Sequence, residues 1–258
     1  MTIGLFDSGV GGTTIWREVV RQLPWESTLY LADSLNAPYG EKSSEEIIAL
    51  CEKNTEYLLD HHSKLIIVAC NTATTNAITH LRAKYKVPFI GIEPAIKPAG
   101  IYSPTKTIGA LATQSTLKSA FFANTCQQLL DKGINVLKQE GIGLVPLIEE
   151  GKVDTPEMMA LLEQYLRPMV AEGMDYLVLG CTHYPYLTSL ISEILPENVR
   201  IMDSAQAVAK QTERILSQNN LLAKKEEHVP SHLWLTNKNA EILQSFAPEG
   251  VRVLYEDF

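Results

Sequence analysis

Twice in this chain an unbroken apolar run ends in a cysteine and passes at once into small polar residues. The first reads Leu65-Ile66-Ile67-Val68-Ala69-Cys70-Asn71-Thr72, the second Tyr176-Leu177-Val178-Leu179-Gly180-Cys181-Thr182-His183. Short runs with no polar alternation read as strands buried on both faces, as in parallel sheets covered by helices. The same strand pattern is expected at residues 3–6, 28–33, 65–69, 88–92, 107–112, 176–180, 200–202, 232–235 and 251–254. Helical patterns fill the spaces between, so the fold class is α/β with largely parallel sheets. Ser43 and Glu46 form a capping box, and Ile47, Cys51 and Leu58 then share one helical face. Thr155-Pro156 opens a second helix, whose apolar stripe is Met158, Leu161, Leu162, Tyr165, Leu166 and Met169.

A Pro/Gly-rich stretch at residues 93–100 marks a boundary, and a second crossing is expected near Asp203. Residues 1–95 with 205–258 would then form one discontinuous α/β domain and residues 96–204 another. Each would hold one cysteine strand, a loose internal duplication. At 258 residues the chain is long enough for two such cores.

Composition removes several function classes. The formal net charge is −8, which disfavours a nucleic-acid surface, since phosphate recognition needs clustered Lys and Arg. No apolar stretch approaches membrane-spanning length, and the start lacks a basic region with a cleavage site. No membrane association and a cytoplasmic location are therefore expected. Four cysteines without a C-x-x-C pair do not make a disulfide framework. His61-His62 lacks metal-ligand spacing, and no G-x-S-x-G elbow occurs. No metal site or organic cofactor is expected.

Ligands of open α/β sheets bind beyond the carboxyl ends of strands. Polar residues collect there: Asp7-Ser8, Pro38-Tyr39-Gly40, Cys70-Asn71-Thr72, Thr113 with Thr116, and Cys181-Thr182-His183. Small hydroxyls, amides and thiols suit a small polar substrate. A thiol on each face of a stereocentre can remove a proton from one side while the other delivers one. Packing is the alternative role for a free cysteine. Cys51 and Cys126 are assigned to it, the latter with Phe122, Leu129 and Leu130. A Cys70–Cys181 disulfide is a further alternative. His183 can assist Cys181 or sit on the surface. Glu149, in Val145-Pro146-Leu147-Ile148-Glu149-Glu150-Gly151, can polarise a neighbour or belong to a solvated turn. The loop Asp7-Ser8-Gly9-Val10-Gly11-Gly12 matches a dinucleotide fingerprint in part. Thr14 stands where its third glycine belongs, and Asp33 stands where a ribose-binding acid would. A tight turn with positive φ at some of these glycines is the alternative.

Taken together, Phe6 to Gly12, Ala37-Pro38-Tyr39-Gly40, Ala69-Cys70-Asn71-Thr72-Ala73, Val145 to Glu149 and Gly180-Cys181-Thr182-His183-Tyr184-Pro185 resemble the glutamate racemases. These belong to the cofactor-independent aspartate/glutamate racemase superfamily. The resemblance covers almost the whole chain, including a tail at residues 233–246. It implies two pseudo-symmetric α/β domains with an interdomain active-site cleft, a homodimer, and glutamate as a small-molecule substrate. It implies two-base racemisation without cofactor, supplying D-glutamate for peptidoglycan. On the same ground Cys70 deprotonates the D enantiomer and Cys181 the L enantiomer. Asp7 assists Cys70, and Glu149 with His183 assists Cys181. Ser8, Tyr39, Gly40, Asn71, Thr72, Thr113, Thr116 and Thr182 hold the carboxylates and amino group. Two departures stand out: Asn36 replaces an arginine common in the family, and Phe122 replaces a tyrosine. Aspartate or hydantoin racemisation, and a non-catalytic module binding an amino acid or nucleotide, are the competing readings.

Overall fold

The computed structural model describes residues 1–224 and 229–258. The chain begins β1 (Thr2–Asp7), α1 (Thr13–Gln22), β2 (Thr28–Ala32), α2 (Ser44–Asp60), β3 (Ser63–Val68), α3 (Asn71–Lys84) and β4 (Phe89–Gly91). It continues α4 (Ile96–Tyr102), β5 (Thr107–Ala112), α5 (Gln114–Lys118), α6 (Ala120–Leu130), β6 (Asn135–Glu140), α7 (Leu144–Glu149), α8 (Pro156–Ala171), β7 (Tyr176–Gly180), α9 (Thr188–Ile194) and β8 (Arg200–Met202). It closes with α10 (Ala205–Gln218), β9 (His232–Thr236), α11 (Ala240–Ser245) and β10 (Arg252–Tyr255). Two compact units result, Met1–Ile92 with Ala205–Phe258, and Glu93–Ser204.

In the first unit the strands run β10-β9-β2-β1-β3-β4, every described pairing parallel. Leu65, Ile66, Ile67 and Val68 of β3 are wholly buried. Each such aliphatic side chain contributes about 1.5–3 kcal/mol by leaving water. Strand alternation divides the residues between two faces. Phe6, Leu29, Leu31, Ile66 and Val68 pack with Ile47, Cys51 and Leu58 of α2 and Ala73, Ala77 and Leu81 of α3. On the opposite face Tyr30 meets Trp234 edge-on at 5.6 Å, and Trp234 meets Trp16 of α1 at 4.9 Å. Helix α2 starts as its sequence requires. Ser43 Oγ accepts from Glu46 N–H at 3.2 Å, and the Glu46 carboxylate accepts from Ser43 N–H at 2.9 Å.

The second unit runs β6-β5-β7-β8, again with parallel pairings. Its core joins Ile108, Ala110, Tyr176 and Val178 of the sheet to Ile96, Ala99, Phe122 and Leu129 of the helices. Strand β6 falls outside the strands expected from sequence. It is an edge strand whose residues are half-buried or exposed, and so carries little apolar signal. Leu130, expected on the packed face of α6, is 59% exposed.

The two sheets share a topology that decides where chemistry can occur. The chain leaves β1 towards β2 on one side and then crosses to β3 on the other; it leaves β5 towards β6 and crosses to β7 in the same way. The strand order reverses beside β1/β3 and beside β5/β7, and in open α/β sheets ligands bind at the carboxyl ends of such points. Both cysteine-tipped strands are the ones that form them.

Candidate active site

In the first unit the carboxyl ends of β1, β2 and β3 are level. Asp33 N–H donates to Asp7 O at 3.0 Å, and Ala69 N–H to Phe6 O at 2.8 Å. Asp7 is wholly buried, and its Oδ2 accepts from Gly12 N–H at 2.5 Å. Glycine at position 12 follows from that approach, because a Cβ there would lie 2.7 Å from the Asp7 Cβ. Positive φ is not the reason: among the described residues none of Gly9, Gly11 and Gly12 has it. The loop leads into α1, which begins at Thr13, so Thr14 is already helical.

Cys70 caps the fourteen-residue helix α3, with Ala73 N–H donating to its Sγ at 3.4 Å. The positive end of a helix favours negative charge on a capping sulfur. Ser8 Oγ lies 3.8 Å from the same sulfur. Asn71 and Thr72 form the first helical residues after Cys70 and, like Ser8, are buried. Among the described residues the Asn71 Oδ1 atom has no hydrogen-bond partner. Asp7, Ser8, Cys70, Asn71 and Thr72 are thus gathered at one sheet end.

Tyr39 and Gly40 lie on the loop after β2, in a 3₁₀ turn. The Tyr39 ring is buried and its hydroxyl donates to Asp33 Oδ2 at 2.5 Å. Burial, followed by the Asp33 charge, pushes the phenol pKa well above its ordinary value, so it stays a donor. The hydroxyl also accepts from Asn54 Nδ2 at 3.2 Å. The hydroxyl is thus committed to Asp33 and Asn54. Asp33 accepts further bonds from Asn36 and Asn237, and at 1% exposure it is not placed to bind a ribose. Asn36 thus bonds within its own loop.

In the second unit Ala112 of β5 pairs with Gly180 of β7, bringing Thr113 and Cys181 to adjacent strand ends. Gly180 is dictated by this closeness, since a Cβ would stand 2.7 Å from that of Ala112. Cys181 Sγ lies 3.7 Å from His183 Nδ1, and His183 Nε2 lies 2.6 Å from Glu149 Oε1. His183 is 1% exposed rather than a surface residue, and the Glu149 side chain, at 9%, does not belong to a solvated turn. Burial works against charge on the imidazole. Hydrogen bonds to Cys181 and Glu149, and their charges, outweigh it and hold the His183 pKa well above its ordinary value. An imidazolium so held faces the sulfur. Thr113 caps α5, its hydroxyl donating to Thr116 Oγ1 at 3.0 Å, and Thr116 and Thr182 are buried. Phe122 is a wholly buried core residue.

Cys51 is buried in the α2 packing, where burial and then the Asp33 charge push its thiol pKa upward. Cys126 is partly buried against the second core. All four cysteines are free, so Cys70 and Cys181 do not form a disulfide in this structure. Among the described residues no group of three or more His, Cys, Asp or Glu is arranged to hold a metal ion. Sequence reasoning singled out neither Asn54, which no motif marked, nor Asn237, although Asn237 lies in the tail at residues 233–246 that carries part of the resemblance.

Residues 8–212 match the model of the Asp/Glu/hydantoin racemase family. The glutamate racemase of Ectopseudomonas mendocina (strain ymp) is 47% identical over 225 residues, which is 86% of this chain and 84% of that protein. The crystal structure of glutamate racemase isoform RacE1 from Bacillus anthracis superposes with a TM-score of 0.86 at 32% identity, covering 99% of this chain and 97% of the other. The Escherichia coli glutamate racemase, in complex with L-glutamate and the activator UDP-MurNAc-ala, gives a TM-score of 0.85 at 29% identity, with 99% of each chain covered.

Proposed function

We propose, since the chain belongs to the Asp/Glu/hydantoin racemase family, that it is an amino-acid racemase interconverting L- and D-glutamate through two thiols. One observation carries this reading: each buried strand-end sulfur stands at the reversal point of its own sheet beside a group that favours negative charge. For Cys70 that group is the N-terminus of α3; for Cys181 it is the His183–Glu149 pair. The L-glutamate bound to the Escherichia coli enzyme supports a free amino acid as substrate.

In the proposed reaction the Cys181 thiolate takes the α-proton of L-glutamate and Cys70 takes that of the D enantiomer. The C–H electron pair passes towards the α-carboxylate, and the other cysteine, as thiol, returns a proton to the opposite face. Each turnover leaves the two thiols with exchanged protonation states. An amino-acid α-proton is far less acidic than a thiol, so fixed donors must stabilise the developing charge. Ser8, Asn71, Thr72, Thr113, Thr116, Thr182 and the backbone at Tyr39-Gly40 are assigned to that work and to holding the amino group. Asp7 assists Cys70, while Glu149 holds His183 as the proton partner of Cys181. The scheme calls on no cofactor. We assign the D-glutamate product to peptidoglycan synthesis in the cytoplasm, and the working unit to a homodimer. Among the described residues no helix is long and apolar enough to cross a membrane.

Circular dichroism of purified protein with each glutamate enantiomer, under reducing conditions and without added cofactor, tests the reading. Both signals should decay to zero, with solvent deuterium entering at the α-carbon. Decay with aspartate alone would reassign the substrate, and no decay or exchange with either would overturn the racemase reading.

A further inference from the structure

The loop that carries Tyr39 and Gly40 has little regular structure of its own. Between β2 and α2 it contains two short 3₁₀ turns, so its shape depends on what its side chains and amides are tied to. One tie comes from the far end of the chain, beyond the residues matched by the family model. Strand β9 pairs with β2 so that Thr236 stands opposite Ala32, which sets Asn237 beside Asp33. Asn237 Nδ2 donates to Asp33 Oδ1 at 2.5 Å, and Asn237 Oδ1 accepts from Leu35 N–H at 2.9 Å. The same Asp33 carboxylate accepts from Asn36 Nδ2 at 2.8 Å and from the Tyr39 hydroxyl at 2.5 Å.

We propose that Asn237 is a positioning residue for the reaction, its amide clamping Asp33 and the Leu35 backbone so that Tyr39-Gly40 are held where substrate is bound. This rests on the racemase reading, which gives Tyr39 and Gly40 their place at the substrate. Asp33, Tyr39, Asn54 and Asn237 are all at most 4% exposed. A buried carboxylate surrounded by neutral donors tolerates poorly the loss of one of them. Losing Asn237 withdraws a donor from Asp33 and an acceptor from Leu35 together, and Asp33 is the group that fixes Tyr39. Asn237 itself need not touch substrate, and its effect belongs to substrate affinity more than to the proton transfer.

The test compares wild type, Asn237→Asp and the double variant Asp33→Asn/Asn237→Asp, well below each melting temperature. Asn237→Asp sets two carboxylates against each other and should raise KM for glutamate about tenfold, with kcat within about threefold. The double variant exchanges donor and acceptor across that contact but gives up the bond that Asn36 Nδ2 makes to the same Asp33 oxygen, so it should recover most, not all, of the tenfold loss in KM. Hydrogen exchange over residues 34–42 should be faster in Asn237→Asp and slow again in the double variant. A residue that only supports the fold would lower the melting temperature of Asn237→Asp but leave KM and exchange of this loop unchanged, which would overturn the proposal. A wild type without turnover would sink the racemase reading, and with it the role in that reaction; the exchange data would still decide whether the clamp holds the loop.

Discussion

Cys70 and Cys181 occupy the same topological place in two sheets of corresponding strand order, β2-β1-β3-β4 and β6-β5-β7-β8, yet their surroundings differ in kind. Cys70 has a helix N-terminus, with Ala73 N–H at 3.4 Å and Ser8 Oγ at 3.8 Å. Cys181 has His183 at 3.7 Å, itself paired with Glu149 at 2.6 Å. A backbone dipole cannot titrate, whereas an imidazole can. The helix N-terminus beside Cys70 is therefore built into the fold, while the imidazole beside Cys181 depends on protonation. The two sheets share the place of the thiol and surround it with different groups.

The strongest way to break this comparison is to remove the thiols one at a time. Cys70→Ser and Cys181→Ser should each lower kcat/KM by about 10²–10⁴, with far-UV circular dichroism unchanged. Enantiomers have equal free energy in water, so damage to either thiol must lower kcat/KM equally in both directions. Full activity in either variant would end the two-thiol assignment. Next comes His183→Asn, expected to cost about 10²-fold, with Glu149→Gln costing less because it acts only through the imidazole. Turnover near wild type in His183→Asn would mean that Cys181 does not depend on the imidazole.

The third test is the pH dependence of stability. The folded His183 pKa is raised above its unfolded value of about 6.5. Its contribution is therefore complete below that pH and is lost as pH rises through the folded value. The melting-temperature difference between wild type and His183→Asn should be greatest in mild acid and shrink as pH rises. A difference independent of pH would contradict the buried imidazolium. The smallest effect belongs to a thiol outside the comparison. Cys51→Ala should cost about 1 kcal/mol of stability in urea melts and leave kcat unchanged. Loss of turnover without loss of stability would give Cys51 a role beyond packing.

Legibility from sequence tracked how local each feature is. The α2 capping box and the Thr155-Pro156 start of α8 were readable because their partners lie within one turn. The apolar runs of β3 and β7 announced themselves for a similar reason, since every residue in them is buried. Strand β6 did not, because Lys138, Gln139 and Glu140 make an edge strand look like loop. From its neighbours alone Glu149 could polarise a group or lie in a solvated turn; only the family resemblance set it with His183, and the fold brings the two to 2.6 Å. The resemblance sets Tyr39 among the substrate-binding residues without specifying an atom, and only the fold shows its hydroxyl turned inward to Asp33.

By itself the sequence determined the α/β class and the delivery of one thiol to the end of each of two buried strands. Burial of an apolar run depends on the residues of that run, so it can be read along the chain. The tertiary structure alone decided which distant polar groups meet without any motif to mark them: Asn237 with Asp33 and Asn54 with Tyr39. A hydrogen bond needs its partners placed within a few tenths of an ångström. Residues far apart in sequence acquire that placement only when strand register and helix packing are complete.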